Sequence, residues 1–208
     1  MGIPVLIIGE SGSGKSTSLR NFEVDEVGIF NVASKPLPFR KALNKIDGAS
    51  YDKIYQALGT PKLKTYVIDD SQYLMAFEMF DRAKETGYNK FTDVALNFRN
   101  LLQFIITRLP ADVTVYFLHH TEQTDTGKIK AKTSGKMLDN QLTLEGLFSI
   151  VLMSRTDGQR YYFETQSDGY NTCKSPIDMF EREIDNDLRF VDQNIKEYWN
   201  LNNESEDK

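Results

Sequence analysis

Hydrophobic residues along this chain gather in short blocks separated by polar segments, and most blocks have the length of a buried strand. Pro4 to Ile8, Val27 to Val32, Thr65 to Ile68 and Val113 to Leu118 are nearly continuous apolar runs, the pattern of strands covered on both faces. Between the third and fourth, Val94, Phe98, Leu101, Leu102, Ile105 and Leu109 recur at helical spacing and are stopped by Pro110, which predicts one long helix. Tyr51 to Leu58, closed by Gly59 and Pro61, predicts a shorter helix; Leu19 and Phe22 predict another after the first strand, and Leu188 to Trp199 a last one. Phe148 to Met153 and Arg160 to Thr165 flank Asp157-Gly158 and so predict an antiparallel hairpin. Thr121 to Asn140 is polar and lysine-bearing, the composition of a loop or mobile hairpin. Strands alternating with helices, then a β-rich C-terminal part, predict an α/β sandwich with a mainly parallel central sheet and a C-terminal antiparallel hairpin. Residues 1–200 read as a single domain and the polar residues 201–208 as a frayed tail.

Composition narrows the function classes. A chain of 208 residues with 40% hydrophobic and 26% charged residues can bury roughly 70% of its unfolded surface, so it needs no disulfide or structural metal to fold. One Cys and two His exclude an internal disulfide and a zinc site of four Cys/His ligands. The sparse thiol fits a reducing compartment. No apolar stretch has membrane-spanning length, and Met1 to Gly9 carries neither a basic flank nor a cleavage site, so a cytoplasmic protein without membrane contact is expected. With 25 Lys+Arg against 30 Asp+Glu the net charge is −5, and any contact with nucleic acid would need a local basic patch.

The most specific chemistry lies directly after the first strand. Gly9, Gly14, Lys15 and Ser16 satisfy the spacing G-x-x-x-x-G-K-[ST], which an average chain of this size meets by accident about once in a hundred. Strand, glycine-rich turn and helix is the order a phosphate loop requires. Backbone N–H groups of Gly9-Glu10-Ser11-Gly12-Ser13-Gly14-Lys15-Ser16-Thr17 would wrap a β-phosphate, with the helix start adding attraction. Lys15 would supply charge to the β- and γ-phosphates of ATP, Ser16 a hydroxyl to Mg²⁺, and Thr17 a contact nearer the α-phosphate.

Two further strand ends complete the candidate site. Val67-Ile68-Asp69-Asp70 delivers two carboxylates at a carboxyl edge, where open α/β sheets bind ligands. Asp69 is expected to hold Mg²⁺ through a bound water. Asp70, expected on the opposite side of the strand end, is the candidate to activate the attacking water, or else caps the helix beginning near Ser71. The strand closing on Leu118-His119-His120 would place a polar residue near the γ-phosphate if it lies beside the phosphate-loop strand. His120 is the first candidate and His119 the second.

Together, Gly9 to Thr17, Val67 to Asp70 and the strand ending in His119-His120 resemble the additional-strand class of P-loop ATPases. Within that class the chain is most similar to small phage-encoded RecA-like ATPases of recombination and replication, including single-strand annealing types. The resemblance implies a RecA-like three-layer sandwich and an Mg²⁺-dependent ATP hydrolase acting on single-stranded DNA. It also implies self-association into a ring or filament, with single-strand binding or other replication and recombination proteins as partners. The hairpin region Asp157 to Phe163 and the turn Asp168 to Pro176 are similar to the family's C-terminal part, and Lys174 matches the basic residue that reaches a neighbouring subunit's γ-phosphate. Relatives with Lys-x-Arg differ from Lys174-Ser175-Pro176, leaving Arg155 or Arg160 as substitutes. RecA's acid after the second strand has no counterpart in Asn31-Val32-Ala33-Ser34, which makes slow hydrolysis an expectation.

Lys128, Lys130, Lys132 and Lys136 fall where RecA relatives carry DNA-facing loops; alternating lysines also describe a solvent-exposed hairpin edge. Tyr161, Tyr162 and Phe163 read as sheet packing rather than base-stacking platforms. Two other uses of the same loop stay open: a small-molecule or nucleotide kinase, and a slowly hydrolysing loader or switch for a replication protein.

Overall fold

The computed structural model describes residues 1–134 and 143–201. Lys136 and the expected tail from residue 202 onward lie outside the described residues. In chain order the elements are β1 (Ile3–Gly9), a 3-10 helix (Ser16–Asn21), β2 (Val27–Asn31), β3 (Lys45–Asp47), α1 (Tyr51–Leu58), β4 (Thr65–Asp69), α2 (Gln72–Asp81) and α3 (Asn89–Arg108). There follow β5 (Thr114–Gln123), β6 (Ile129–Ala131), a 3-10 turn (Leu144–Leu147), β7 (Ile150–Thr156), β8 (Tyr161–Glu164), β9 (Glu183–Asp185) and α4 (Leu188–Tyr198).

The sheet runs β3-β2-β4-β5-β1-β7-β8-β9, with every pair from β3 to β7 parallel and the last two antiparallel. This is the expected α/β architecture with a mainly parallel central sheet and a C-terminal antiparallel hairpin. The apolar runs sit in its centre because they are covered twice. Leu6, Ile8, Ile68, Val115 and Phe117 face α1, α2 and α3, while Val5, Ile7, Val67, Tyr116 and Leu118 face the first 3-10 helix and α4. No helix of the described residues is long and apolar enough to cross a membrane.

Three elements depart from the sequence reading, and the polar stretch after His120 takes the hairpin form of its two expected ones. The helix after β1 is a single six-residue 3-10 segment, so the loop ahead of it lacks the macrodipole of a long α-helix. The edge strands β3 and β9 carry no buried residue that hydrophobic patterning could register. The polar stretch after His120 begins as an ordered antiparallel hairpin, β5 with β6. It is held from beneath by Ala131, whose N–H donates to the buried Glu145 side chain at 2.7 Å.

Candidate functional site

Glu10 to Lys15, the core of the expected phosphate loop, form a turn standing on the carboxyl end of β1. Gly12 and Gly14 have φ of +81° and +95°, a backbone that residues with a Cβ rarely adopt. At Gly14 a Cβ would also come within 2.6 Å of the Tyr161 ring, which lies over the loop. Lys15 folds back over the turn and donates to the Gly9 and Glu10 carbonyls, both at 2.7 Å. Burial pulls its ammonium down to about 8, against the opposing pull of Asp70 and Asp69. Ser13 is turned inward: its carbonyl accepts from Ser154 Oγ at 2.7 Å, and its own hydroxyl is buried without a hydrogen-bond partner.

Ser16 Oγ donates to Asp69 Oδ1 at 2.9 Å, joining groups 53 positions apart in the chain. A hydroxyl and a carboxylate side by side are the all-oxygen donor set that Mg²⁺ takes, so these two residues fit the metal that the resemblance implies. Burial first, and the neighbouring Asp70 charge next, raise the Asp69 carboxyl above its usual range.

Strand alternation would send Asp70 away from Asp69, yet both line one cleft. The cause is a left-handed backbone at Asp70, with φ of +60°, which turns its carboxylate back over the strand end. Asp70 does not cap α2, which has no side-chain cap. Its Oδ2 accepts from Lys35 Nζ at 2.7 Å, and its Oδ1 lies 3.3 Å from His120 Nε2. Burial pushes this carboxyl up, but the hydrogen bonds from His120 and Lys35 outweigh burial and hold it below the ordinary range.

The two histidines part company because β5 alternates. β5 pairs in parallel with β1, setting His119 opposite Ile8 and His120 opposite Gly9. His120 enters the cleft, whereas His119 is fully buried on the other face, beside Phe98. Its Nε2 donates to the Lys132 carbonyl at 2.6 Å, and its Nδ1 meets Ser71 Oγ at 2.8 Å. Burial holds the imidazole neutral, down to about 4. His119 therefore ties β5 to Ser71 and to the Lys132 backbone and does not line the cleft.

The cleft has a volume of about 310 Å³ and is lined by Ser11, Gly12, Gly14 and Lys15 to Thr17 on one side and by Asp69, Asp70 and His120 on another. Lys35, Pro36, Pro38 and Tyr161 close it, and sequence reasoning assigned none of these four to the site. Tyr161 and Phe163 share one face of β8, but Phe163 is core while Tyr161 stays 43% exposed over the loop.

Lys174 is not among the lining residues; its backbone bridges Val151 near the start of β7. Arg155 pairs with Glu164 at 3.1 Å, and Arg160 with Glu183 and Asp157. Lys128, Lys130 and Lys132 alternate with inward-facing Ile129 and Ala131 on the β5–β6 hairpin; Lys130 pairs with Glu122 at 2.9 Å, and the other two are exposed. No protein-family model matches the chain, and no curated protein matches it at a significant level.

Proposed function

We propose that this chain is an Mg²⁺-dependent, RecA-like P-loop ATPase that acts on single-stranded DNA in phage-type recombination or replication, working as an oligomer. The observation that carries the reading is the Ser16–Asp69 contact at 2.9 Å, set directly beneath a glycine-bent loop that ends in a buried lysine. A hydroxyl after the loop lysine and a carboxylate from a distant strand have one shared chemistry, the metal of a nucleoside triphosphate. When bound, Mg²⁺ would neutralise charge on the β- and γ-phosphates, held by Ser16 and Asp69. Lys15 exchanges its two carbonyl partners for phosphate oxygens. Asp70 accepts the proton of the attacking water, and His120 orients that water or the γ-phosphate.

The strand order supports the RecA-like form of this reading. β5 lies between β1 and β4, so His120 stands between the phosphate loop and the two acids. The same strand continues into the lysine-bearing hairpin, where the Lys132 N–H donates to the His120 carbonyl at 2.8 Å. Events at the phosphate end thus have a short covalent and hydrogen-bonded route to the proposed DNA contact.

The test is ATP turnover with and without single-stranded DNA at low salt, with oligomer size measured alongside. Wild type is expected to be stimulated by DNA and Lys15→Ala to lose about a thousandfold in rate. Failure to bind Mg·ATP would remove the whole reading; ATP binding with no DNA response would remove its DNA part. A slowly hydrolysing switch is the second reading, favoured by Asn31 at the end of β2 and by the engagement of both Asp70 oxygens. Equal, negligible turnover in wild type and Asp70→Asn would support it.

A further inference from the structure

We propose that Lys35 is a second phosphate-binding lysine, whose ammonium leaves Asp70 for the terminal phosphate of ATP and so makes the cleft distinguish ATP from ADP. This rests on the nucleotide-binding reading above.

Three observations carry it. The first is the way the backbone presents Lys35. Asn31, 1% exposed at the end of β2, donates from Nδ2 to the Lys35 carbonyl at 2.7 Å and to Asp47 Oδ1 at 2.6 Å. Ser34 is held in the left-handed region at φ +56°, and Pro36 and Pro38 follow, each with its φ fixed by the ring. A clamped, partly strained loop is out of proportion to a surface ion pair, since such pairs contribute little to stability.

The second is the position of the ammonium. Nζ lies over the Tyr73 ring at 5.2 Å and 2.7 Å from Asp70 Oδ2, in the cleft that the phosphate loop also lines. The Lys35 side chain is 58% exposed while Asp70's is 11% exposed, so the lysine can leave through solvent. The third is charge. Among the residues lining the cleft, the lysines are Lys15 and Lys35, set against Asp69 and Asp70. Even with Mg²⁺ bound, a triphosphate brings more negative charge than Lys15 alone offsets. Lys15 belongs to the loop that grips the β-phosphate; Lys35, beside the candidate base, is placed for the phosphate that ADP lacks.

The exchange has a second consequence. Once Lys35 turns to phosphate, Asp70 Oδ2 is free to accept a hydrogen bond from water, so recognising the terminal phosphate and releasing the base are one event. Lys35 then lies in the segment after β2, where the family resemblance implies an acid and the chain has none.

The test is calorimetric titration of the full chain with Mg·ATP and with Mg·ADP. Lys35→Met keeps the aliphatic stem and removes the charge. It is expected to weaken ATP binding about tenfold or more while leaving ADP within about twofold, and Lys35→Arg to restore part of the difference. Asp70→Asn is expected to tighten ATP binding, with a smaller gain when combined with Lys35→Met. Equal losses for ATP and ADP, or no loss for either, would overturn the role of Lys35 and leave the nucleotide site standing. A wild-type chain that binds neither nucleotide would overturn the underlying reading instead. Thermal melts of each variant check that the fold is retained.

Discussion

The central strands meet a carboxylate at each end, one carried by a helix and one at the end of β4, and the two are built differently. At the amino edge Asp192 of α4 accepts from Thr65 Oγ1 at 2.8 Å, Thr114 Oγ1 at 2.5 Å, Tyr116 Oη at 2.9 Å and Lys196 Nζ at 2.6 Å. These hydroxyls are buried on strands, and Asp192 sits on an ordinary helical backbone. At the carboxyl edge Asp70 sits on a left-handed backbone, and its shortest contact is to an exposed lysine on a loop. A carboxylate surrounded by donors that cannot leave acts as a fastener. One whose main donor can swing into solvent is available for exchange with a ligand.

Removing each carboxylate should separate the two roles by the largest margin. Asp192→Ala leaves three buried hydroxyls and the Lys196 charge without their shared acceptor. It is expected to destabilise the fold by about 3–5 kcal/mol, the usual cost of breaking a buried ion pair. Asp70→Asn gives up a half-solvated pair and is expected to stay within about 1 kcal/mol. Urea unfolding measures both, and comparable losses would erase the distinction between the edges.

His119 extends the comparison to the face behind the cleft. Its imidazole is held down to about 4 by burial, against an ordinary value of 6.5, so the unfolded chain binds a proton there that the folded chain rejects. The stability this site contributes is complete above about pH 6.5 and is lost as pH falls towards 4. At 1.36 kcal/mol per pKa unit, the loss approaches about 3 kcal/mol. The difference in unfolding free energy between wild type and His119→Gln, followed from pH 7.5 to 4.5, should shrink by about that amount. A difference that does not change with pH would mean that the ring takes up its proton without cost in the fold.

What could be read beforehand follows the range of each interaction. The glycine-bent turn after β1 was legible because its requirements are local: glycines where φ is positive, then a lysine and a hydroxyl. The acids at the end of β4 were legible as a strand terminus, but the turn that brings Asp70 back beside Asp69 has no sequence signature. For the histidines, alternation makes the choice an either/or, and only the pairing of β5 with β1 says which side His120 takes. Lys35 could not be found from patterning, since it lies in an aperiodic polar loop and its partner is 35 positions away. Asp192 reads as one more polar residue on an amphipathic helix until Thr65 and Thr114 are brought beneath it.

The smallest effects are expected on the β5–β6 hairpin, where lysines of two kinds stand on one face. Lys130 is 2.9 Å from Glu122, while Lys128 and Lys132 are exposed. If the hairpin contacts single-stranded DNA, each lysine that neutralises a phosphate releases a counterion and contributes roughly 0.7 to the slope of log affinity against log salt. Lys128→Ala and Lys132→Ala should each weaken binding a few-fold and flatten that slope by about this much. Lys130→Ala should do less, because Glu122 already offsets its charge, and Glu122→Gln should strengthen binding. All four changes lie on a solvated face and are expected to alter stability by less than about 0.5 kcal/mol. Fluorescence anisotropy with a labelled oligonucleotide across a salt series reads the affinities and slopes together. Slopes that stay the same in all three lysine variants would make the alternating lysines a solubilising edge and move the DNA contact elsewhere on the molecule.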